Sequence, residues 1–459
     1  MMLGLGLGGL GLRRGAEMAA APPPEPEPVT VAFPSAQVAR GFYGPLDTVT
    51  NAARLYIAAG TSVWFGRIRG STATLNCLNP LTSTTLAPFS VSVDGAAYGD
   101  VHSVSGVATL FTGLTDDWHL VSIRPGAAFG TSIYLPQTGT LMTVTGLAPD
   151  IDVMANKVQT GGPGVLSGGP TGTAVAHVNF APRVLGVGSD TSVGQGVNAL
   201  AVRTAATRLH IVTESTYVAV SIDGAAPTYY TKLLNQGVIV PCDGGSHDYY
   251  IWCNGVSGGS SNYDAFGIGA DATISSIGTK RLHHFGHSIV HGIAATSTAH
   301  TDMARTAARK GYLFGNMGVS GNTIQTLLAR MTATLARLTV TTADVAILDI
   351  GRNDGQAGFD AADDTDFPVL LSALVAKGYG KILVLGQMTE PGNFLSEGAG
   401  RLNEDMAAAV AATGNPAILY LSRASYTGIA KTDGVHPSDA GYVTMDGLNM
   451  ALIDPVLAP

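Results

Sequence analysis

Residues 280–292 read KRLHHFGHSIVHG, and the contrast between this stretch and everything before it decides the fold. An apolar strand candidate, Arg281–Phe285, runs straight into Gly286-His287-Ser288. From here on, short apolar runs alternate with helical spacing. Strands are expected at Arg281–Phe285, Tyr312–Asn316, Val345–Ile350, Lys381–Leu385 and Ala417–Leu421. Helices are expected at Ala299–Lys310, Thr323–Leu338, Phe367–Lys377, Gly400–Ala412 and Ser438–Ile453. Strand and helix alternating in this way predict a parallel sheet covered by helices, an α/β three-layer domain over 280–459. Chemical groups in such domains collect at the carboxyl ends of the strands.

Upstream the texture is different. From Val29 to about Thr279, Val, Ile, Thr, Ser and Tyr alternate in short runs broken by Gly, Asn and Asp, as in Phe89-Ser90-Val91-Ser92-Val93 and His119-Leu120-Val121-Ser122-Ile123. Period-two alternation puts every second side chain on one face and predicts antiparallel strands. The region also repeats. Val91-Ser92-Val93-Asp94-Gly95-Ala96-Ala97 returns as Val220-Ser221-Ile222-Asp223-Gly224-Ala225-Ala226, an offset of 129 residues, and TDDWHLVSIRPG from Thr115 has an echo in GGSHDYYIWCNG from Gly244 at the same offset. Two all-β sandwich modules, jelly-roll-like, are therefore expected at 29–160 and 161–279, with the boundary in the Gly/Pro-rich stretch Thr160 to Thr173. Residues 1–28 form a Gly/Leu-rich peptide, MMLGLGLGGLGL at its start, followed by a Pro-rich linker that is extended and semi-rigid.

Composition narrows the function. The chain has 459 residues, 25 Lys+Arg against 33 Asp+Glu and a net charge of −8, so it carries no basic excess with which to neutralise phosphates, and nucleic acid is excluded as a partner. Charged residues make up 13% against a usual ~25%, and hydrophobic residues 46%, which is the composition of a folded, β-rich chain rather than a disordered one. No apolar run long enough to span a membrane occurs without frequent Gly. The first twelve residues have no preceding positive charge, and Arg13-Arg14 follow them, the reverse of a secretory signal. Three cysteines, Cys77, Cys242 and Cys253, make no disulfide framework and have no zinc spacing.

Four segments of the last domain carry chemistry. Ser288 follows the first strand beside Gly286. Asn316-Met317-Gly318-Val319-Ser320-Gly321-Asn322-Thr323 follows the second, and Gly321 there can offer its N–H to an anion. Asp349-Ile350-Gly351-Arg352-Asn353-Asp354-Gly355 ends the third, with a side-chain amide at Asn353. Thr432-Asp433-Gly434-Val435-His436-Pro437-Ser438-Asp439-Ala440-Gly441-Tyr442 precedes the last helix. Its three-residue spacing lets Asp433 reach one imidazole nitrogen of His436 while the other faces the cleft. Taken singly, each segment reads as an ordinary helix cap or turn.

Together and in this order the four segments resemble the SGNH (GDSL-type) hydrolase family, over roughly Leu282 to Leu452. The resemblance implies Ser288 as nucleophile, His436 as general base and Asp433 as its orienting acid. It also implies an oxyanion hole from the N–H groups of Gly321 and Ser288 and the side chain of Asn353, with no metal and no cofactor. One position departs from the motif: the family has Gly-Asp-Ser where this chain has Gly286-His287-Ser288. His283, His284, His287 and His291 cluster nearby. Strand alternation sends His283 and His284 to opposite faces, so these are read as structural side chains rather than metal ligands. The β modules, poor in charge and supplied with Tyr, Asn, Thr and Trp, suit sugar rings. The layout resembles carbohydrate esterases of the family, which implies an acetylated polysaccharide as substrate. The Gly/Leu-rich start resembles those of phage tail proteins, which places the chain on a host-facing tail fibre or spike in a virion, with tail proteins and a homotrimer as partners, or else outside the cell as a secreted protein. The rival readings are a lipase- or thioesterase-like hydrolase and a glycan-binding or structural protein with a decayed site.

Overall fold

The computed structural model describes residues 26–43, 46–48, 54–57, 63–77, 89–104, 106–125, 133–136, 138–154, 156–160, 166–168, 177–179, 197–213, 216–233, 236–254, 266–277, 280–354, 358–388 and 399–457. The Gly/Leu-rich start and much of the stretch Thr160 to Thr173 lie outside the described residues. The chain is a mostly β N-terminal region of several sheets followed by a domain with a parallel sheet.

The N-terminal sheets come in two sets with one topology. In the first set, one sheet runs in the order Val29–Pro34, Thr140–Gly146, Thr72–Asn76, Val107–Phe111, Ser103–Val104. The other runs Asp150–Asp152, Val63–Arg69, Trp118–Pro125, Phe89–Val93, Gly99–Val101. Trp64, Ile68, Val91 and Val121 of the second sheet share one buried cluster with Leu75, Ala108, Met142 and Val144 of the first. The second set repeats this order: Asn156–Thr160, Phe266–Ala270, Arg208–Thr213 and Gly237–Pro241 in one sheet, and Val197–Thr204, His247–Asn254, Tyr217–Ile222 and Thr228–Thr231 in the other. Residues 156–160, assigned to the first module by their position in the chain, pair with Phe266–Ala270 of the second set.

The sequence repeat corresponds to a repeated hydrogen-bonded turn. Asp94 and Asp223 both sit at φ 50°, a left-handed conformation that a short polar side chain tolerates. Each is followed by a glycine also at positive φ, Gly95 and Gly224. Ser92 and Ser221 donate to the carbonyls of Ala96 and Ala225, both at 2.6 Å. Each aspartate binds a histidine of the next long strand, Asp94 with His119 Nδ1 at 2.7 Å and Asp223 with His247 Nδ1 at 2.5 Å. The equivalent histidines are therefore 128 residues apart, from 119 to 247, and not 129. The expected register of the second echo is off by one, because one residue is lost between the two repeated segments.

The C-terminal sheet contains β1 (Lys280–Gly286), β2 (Tyr312–Gly318), β3 (Val345–Asp349), β4 (Lys381–Leu385) and β5 (Ile418–Leu421), in the order β2-β1-β3-β4-β5 and all parallel. Its helices are α1 (Ser288–His291), α2 (Asp302–Arg309), α3 (Ile324–Arg337), α4 (Asp363–Lys377), α5 (Ala399–Ala412) and α6 (Asp439–Leu452). Strand alternation divides the core. Phe285, Ala346, Leu348, Ile382 and Val384 pack with α3, α4 and α5. Leu282, Val345, Ile347, Leu383 and Leu385 pack on the other face, with α2. That second cluster does not stop at the domain edge. It takes in Ala201, Ala219, Tyr250 and Trp252 from the second β set, with Trp252 only 2% exposed. Tyr229 lies on the ring of His300, centroids 3.7 Å apart, and donates to the carbonyl of Ala299 at 3.1 Å. None of the described helices is long and apolar enough to cross a membrane.

Candidate active site

β1 ends at Gly286, and the chain turns at once into α1. A Cβ at Gly286 would lie 2.1 Å from the carbonyl oxygen of Asp349, so only glycine lets β1 pass β3 this closely. His287 follows in extended backbone, and its Nδ1 accepts the N–H of Ile289 at 3.3 Å. Ser288 is thereby set at the carboxyl end of the sheet, 7% exposed.

The segment before α6 approaches from the far end of the chain. Lys431 and Pro437 form an antiparallel bridge, and Thr432 N–H donates to the His436 carbonyl at 3.0 Å, closing a tight loop. Gly434, at φ 81°, allows the reversal inside it. Asp433 Oδ1 accepts the N–H groups of Val435 and His436 at 2.9 and 2.7 Å, and its Oδ2 binds His436 Nδ1 at 2.6 Å. The backbone N–H of His436 is the largest influence on this carboxylate. With the imidazole and the N–H of Val435, it holds the carboxylate well below the usual range. A carboxylate on Nδ1 fixes the tautomer that leaves Nε2 as an acceptor. Nε2 lies 2.9 Å from Ser288 Oγ. The structure thus brings Ser288, His436 and Asp433 into one line of hydrogen bonds across 148 residues of sequence.

The two donor segments meet beside them. Val319 N–H and Asn322 Nδ2 both donate to the carbonyl of Gly286, at 3.1 and 3.0 Å, tying the loop after β2 to the end of β1. Gly321 occupies the third position of the turn Val319–Asn322 at φ 78°, where a side chain would be strained. A Cβ there would touch nothing within 4 Å, so the turn opens away from the packed interior. Asn353 Nδ2 donates to the carbonyl of Asn322 at 2.8 Å, which uses one of its two amide hydrogens. Asp354 accepts the N–H of Ile324 at 2.6 Å and so anchors the start of α3 to the same loop.

Under Ser288 lies a buried polar layer whose parts were not assigned a role from the sequence. Asp349, 1% exposed at the end of β3, accepts Arg423 Nη2 at 2.6 Å and Gln387 Nε2 at 3.2 Å. Burial works to raise its pKa, but the Arg423 guanidinium beside it outweighs this and holds it far below the usual carboxylate range. Arg423 also donates from Nε to the Gly386 carbonyl at the end of β4, at 2.8 Å. The imidazoles divide as alternation requires. His283 meets the hydroxyl of Tyr379 at 2.6 Å on one face, and His284 stands 3.9 Å from Asp349 on the other. Burial lowers the pKa of both to about 3, so both are neutral. The one sequence signal for this layer was an acidic residue closing an otherwise apolar strand.

Residues 284–443 match the GDSL-like lipase/acylhydrolase family. No curated protein matches the sequence. Among solved structures the chain is similar to a salicylyl-acyltransferase from a tetracycline biosynthetic pathway, with 17% identity, a TM-score of 0.42, 56% of this chain covered and 82% of the other. A family two carbohydrate esterase from Cellvibrio japonicus is similar at 13% identity, TM-score 0.41, 56% and 89% covered. One from Clostridium thermocellum in complex with cellohexaose is similar at 13% identity, TM-score 0.39, 57% and 94% covered. The chain carries a hydrolase domain of the GDSL-like lipase/acylhydrolase family, and the protein is a carboxylic ester hydrolase.

Proposed function

We propose that the protein is a serine esterase that removes O-acetyl groups from a polysaccharide, with Ser288 as nucleophile, His436 as general base and Asp433 as the carboxylate that orients it. The observation that carries this reading is the 2.9 Å contact between His436 Nε2 and Ser288 Oγ, with Asp433 on the opposite ring nitrogen. Ser288 passes its proton to His436 and attacks the ester carbonyl. Negative charge collects on the carbonyl oxygen, where the N–H groups of Gly321 and Ser288 and the second amide hydrogen of Asn353 receive it. Losing one such donor typically slows turnover by ~10²–10³. His436 then protonates the leaving alkoxide, and water, activated by the same base, releases acetate from Ser288.

The N-terminal region supports a glycan as substrate. Its two sets of sheets are proposed to be jelly-roll-like sandwich modules that present the esterase to a polymer, the first from residue 29 and the second from residue 156 to 279, ahead of a hydrolase domain from 280. The repeated strand order supports that division. A host-facing phage tail fibre or spike, assembled as a trimer, is the proposed setting, supported by the Gly/Leu-rich start. The test is acetate release from acetylated polysaccharide and para-nitrophenyl acetate by wild type, Ser288→Ala and His436→Ala, with long-chain esters as the comparison. Both variants should fold and lose turnover. Full activity in either ends the triad assignment, and preference for long acyl chains ends the deacetylase reading.

A further inference from the structure

The residue before the nucleophile is a histidine where the family motif has an aspartate, and the structure shows what accompanies it. His287 is 1% exposed. Its Nδ1 accepts the N–H of Ile289, so it carries no proton, and the neutral ring has its hydrogen on Nε2. That Nε2 faces Asp349 Oδ1 at 3.6 Å, longer than a hydrogen bond but with no other polar partner for the ring nitrogen. Asp349 is held in turn by Arg423 and Gln387 from the loops after β5 and β4.

We infer that Asp349 is a positioning residue for the nucleophile: it holds His287 in the tautomer whose Nδ1 caps the Ile289 N–H, and so fixes the turn that aims Ser288 at His436. The carboxylate absent from position 287 is supplied by the neighbouring strand, with Arg423 keeping it ionised. This rests on the proposed role of Ser288. Arg423, Gln387 and the Nε2 of His287 all face the same oxygen, Oδ1, so an asparagine can keep an acceptor for the ring, whereas a leucine removes it. A buried Nε2–H left without an acceptor is unfavourable, so with leucine the ring would turn away and lose the cap.

A double-mutant cycle tests it. Asp349→Leu in the native background should lower kcat by ~10²-fold, the scale of a small misplacement of a reacting group, with KM little changed. In a His287→Asn background the cap is an amide oxygen that needs no tautomer, since Asn caps as well as Asp. There Asp349→Leu should cost less than about threefold, a small fraction of its effect in the native background. Because Asp349→Leu leaves Arg423 buried without its partner, the cycle is repeated with the pair Asp349→Leu/Arg423→Gln, which removes both charges. Asp349→Asn, which keeps an oxygen at the shared position, should lose far less than Asp349→Leu. Nitrogen NMR of the imidazole should report Nε2–H for His287 in the wild type and in Asp349→Asn. Equal losses in the two backgrounds, an unchanged kcat in Asp349→Leu, or Nδ1–H in the wild type would each overturn the inference. Ser288→Ala, run alongside, separates the two levels. Activity in that variant overturns the esterase site itself, whereas an inactive Ser288→Ala with an additive cycle overturns only the role of Asp349.

Discussion

Asp433→Asn is the most informative single change, because the geometry dictates which way the new amide must turn. Oδ1 of Asp433 receives two backbone N–H groups, from Val435 and His436, and Oδ2 receives the imidazole. An asparagine could serve the imidazole with its oxygen only by presenting its N–H₂ to the two backbone donors, which is repulsive. It will instead keep its oxygen on the backbone and point N–H₂ at Nδ1. The imidazole must then protonate on Nε2, the nitrogen that faces Ser288 Oγ at 2.9 Å, and can no longer take the serine proton. A buried wrong-tautomer triad loses ~10⁴ in kcat. Asp433 is 50% exposed, so water competes and the expected loss is about 10²–10⁴. Asp433→Ala frees the ring to choose its tautomer and should lose less than Asn, although Asn is the closer mimic in shape. The assay is kcat for para-nitrophenyl acetate at pH 8 for wild type and both variants, with melting curves to show that the loop persists. An Asn variant within a few-fold of wild type, or more active than the Ala variant, refutes the orienting role.

Further expectations concern the scaffold. Gly286→Ala should be inactive and poorly folded, since its methyl would meet the Asp349 carbonyl at 2.1 Å, and a soluble, active variant would show that the strand end can relax. Trp252→Ala should cost ~3–5 kcal/mol, as for large core aromatics, and should lower the melting temperature of esterase activity together with that of the β region. Separate transitions would contradict a shared core. Asp354 is pushed up to about 7 by burial. Its folded pKa lies above its unfolded one, so folding takes up a proton and stability falls as pH rises from about 4 to 7. Asp354→Asn should gain stability on wild type across that window, and a pH-independent difference in melting temperature would discount it.

Much of the C-terminal domain was legible in the sequence because its strands are apolar runs. Lys381–Leu385 was read with the ends it has in the structure, and the other four strands to within a residue or two. α4 was expected from Phe367. It begins at Asp363 instead, because the Asp360 carboxylate accepts the N–H groups of Ala362 and Asp363. The cap is local, with Asp363 Oδ2 accepting the Asp360 N–H in return, so the spacing Asp360-Ala361-Ala362-Asp363 carried this start in the sequence. The positions of Ser288, His436 and Asp433 could be read because each sits in a local motif. The layer of Asp349, Arg423 and Gln387 could not, since its members come from the end of β3 and the loops after β5 and β4, whose meeting depends on the sheet order. The repeat was visible, but its second register was not: one missing residue between strands changes no alternation pattern, and only the paired Asp–His contacts reveal it.

The core that runs from Trp252 and Tyr250 through Met303, Ala307 and Leu282 has a practical consequence for anyone dissecting the protein. Cutting the chain just ahead of Lys280 would not liberate an enzyme; it would strip a wall from it and leave an oily wound along α2. Any shortened chain must carry the second β set with the catalytic half as its permanent fourth side, and a cut near Asn156 would in turn take Tyr43, Val63 and Phe65 away from Val212.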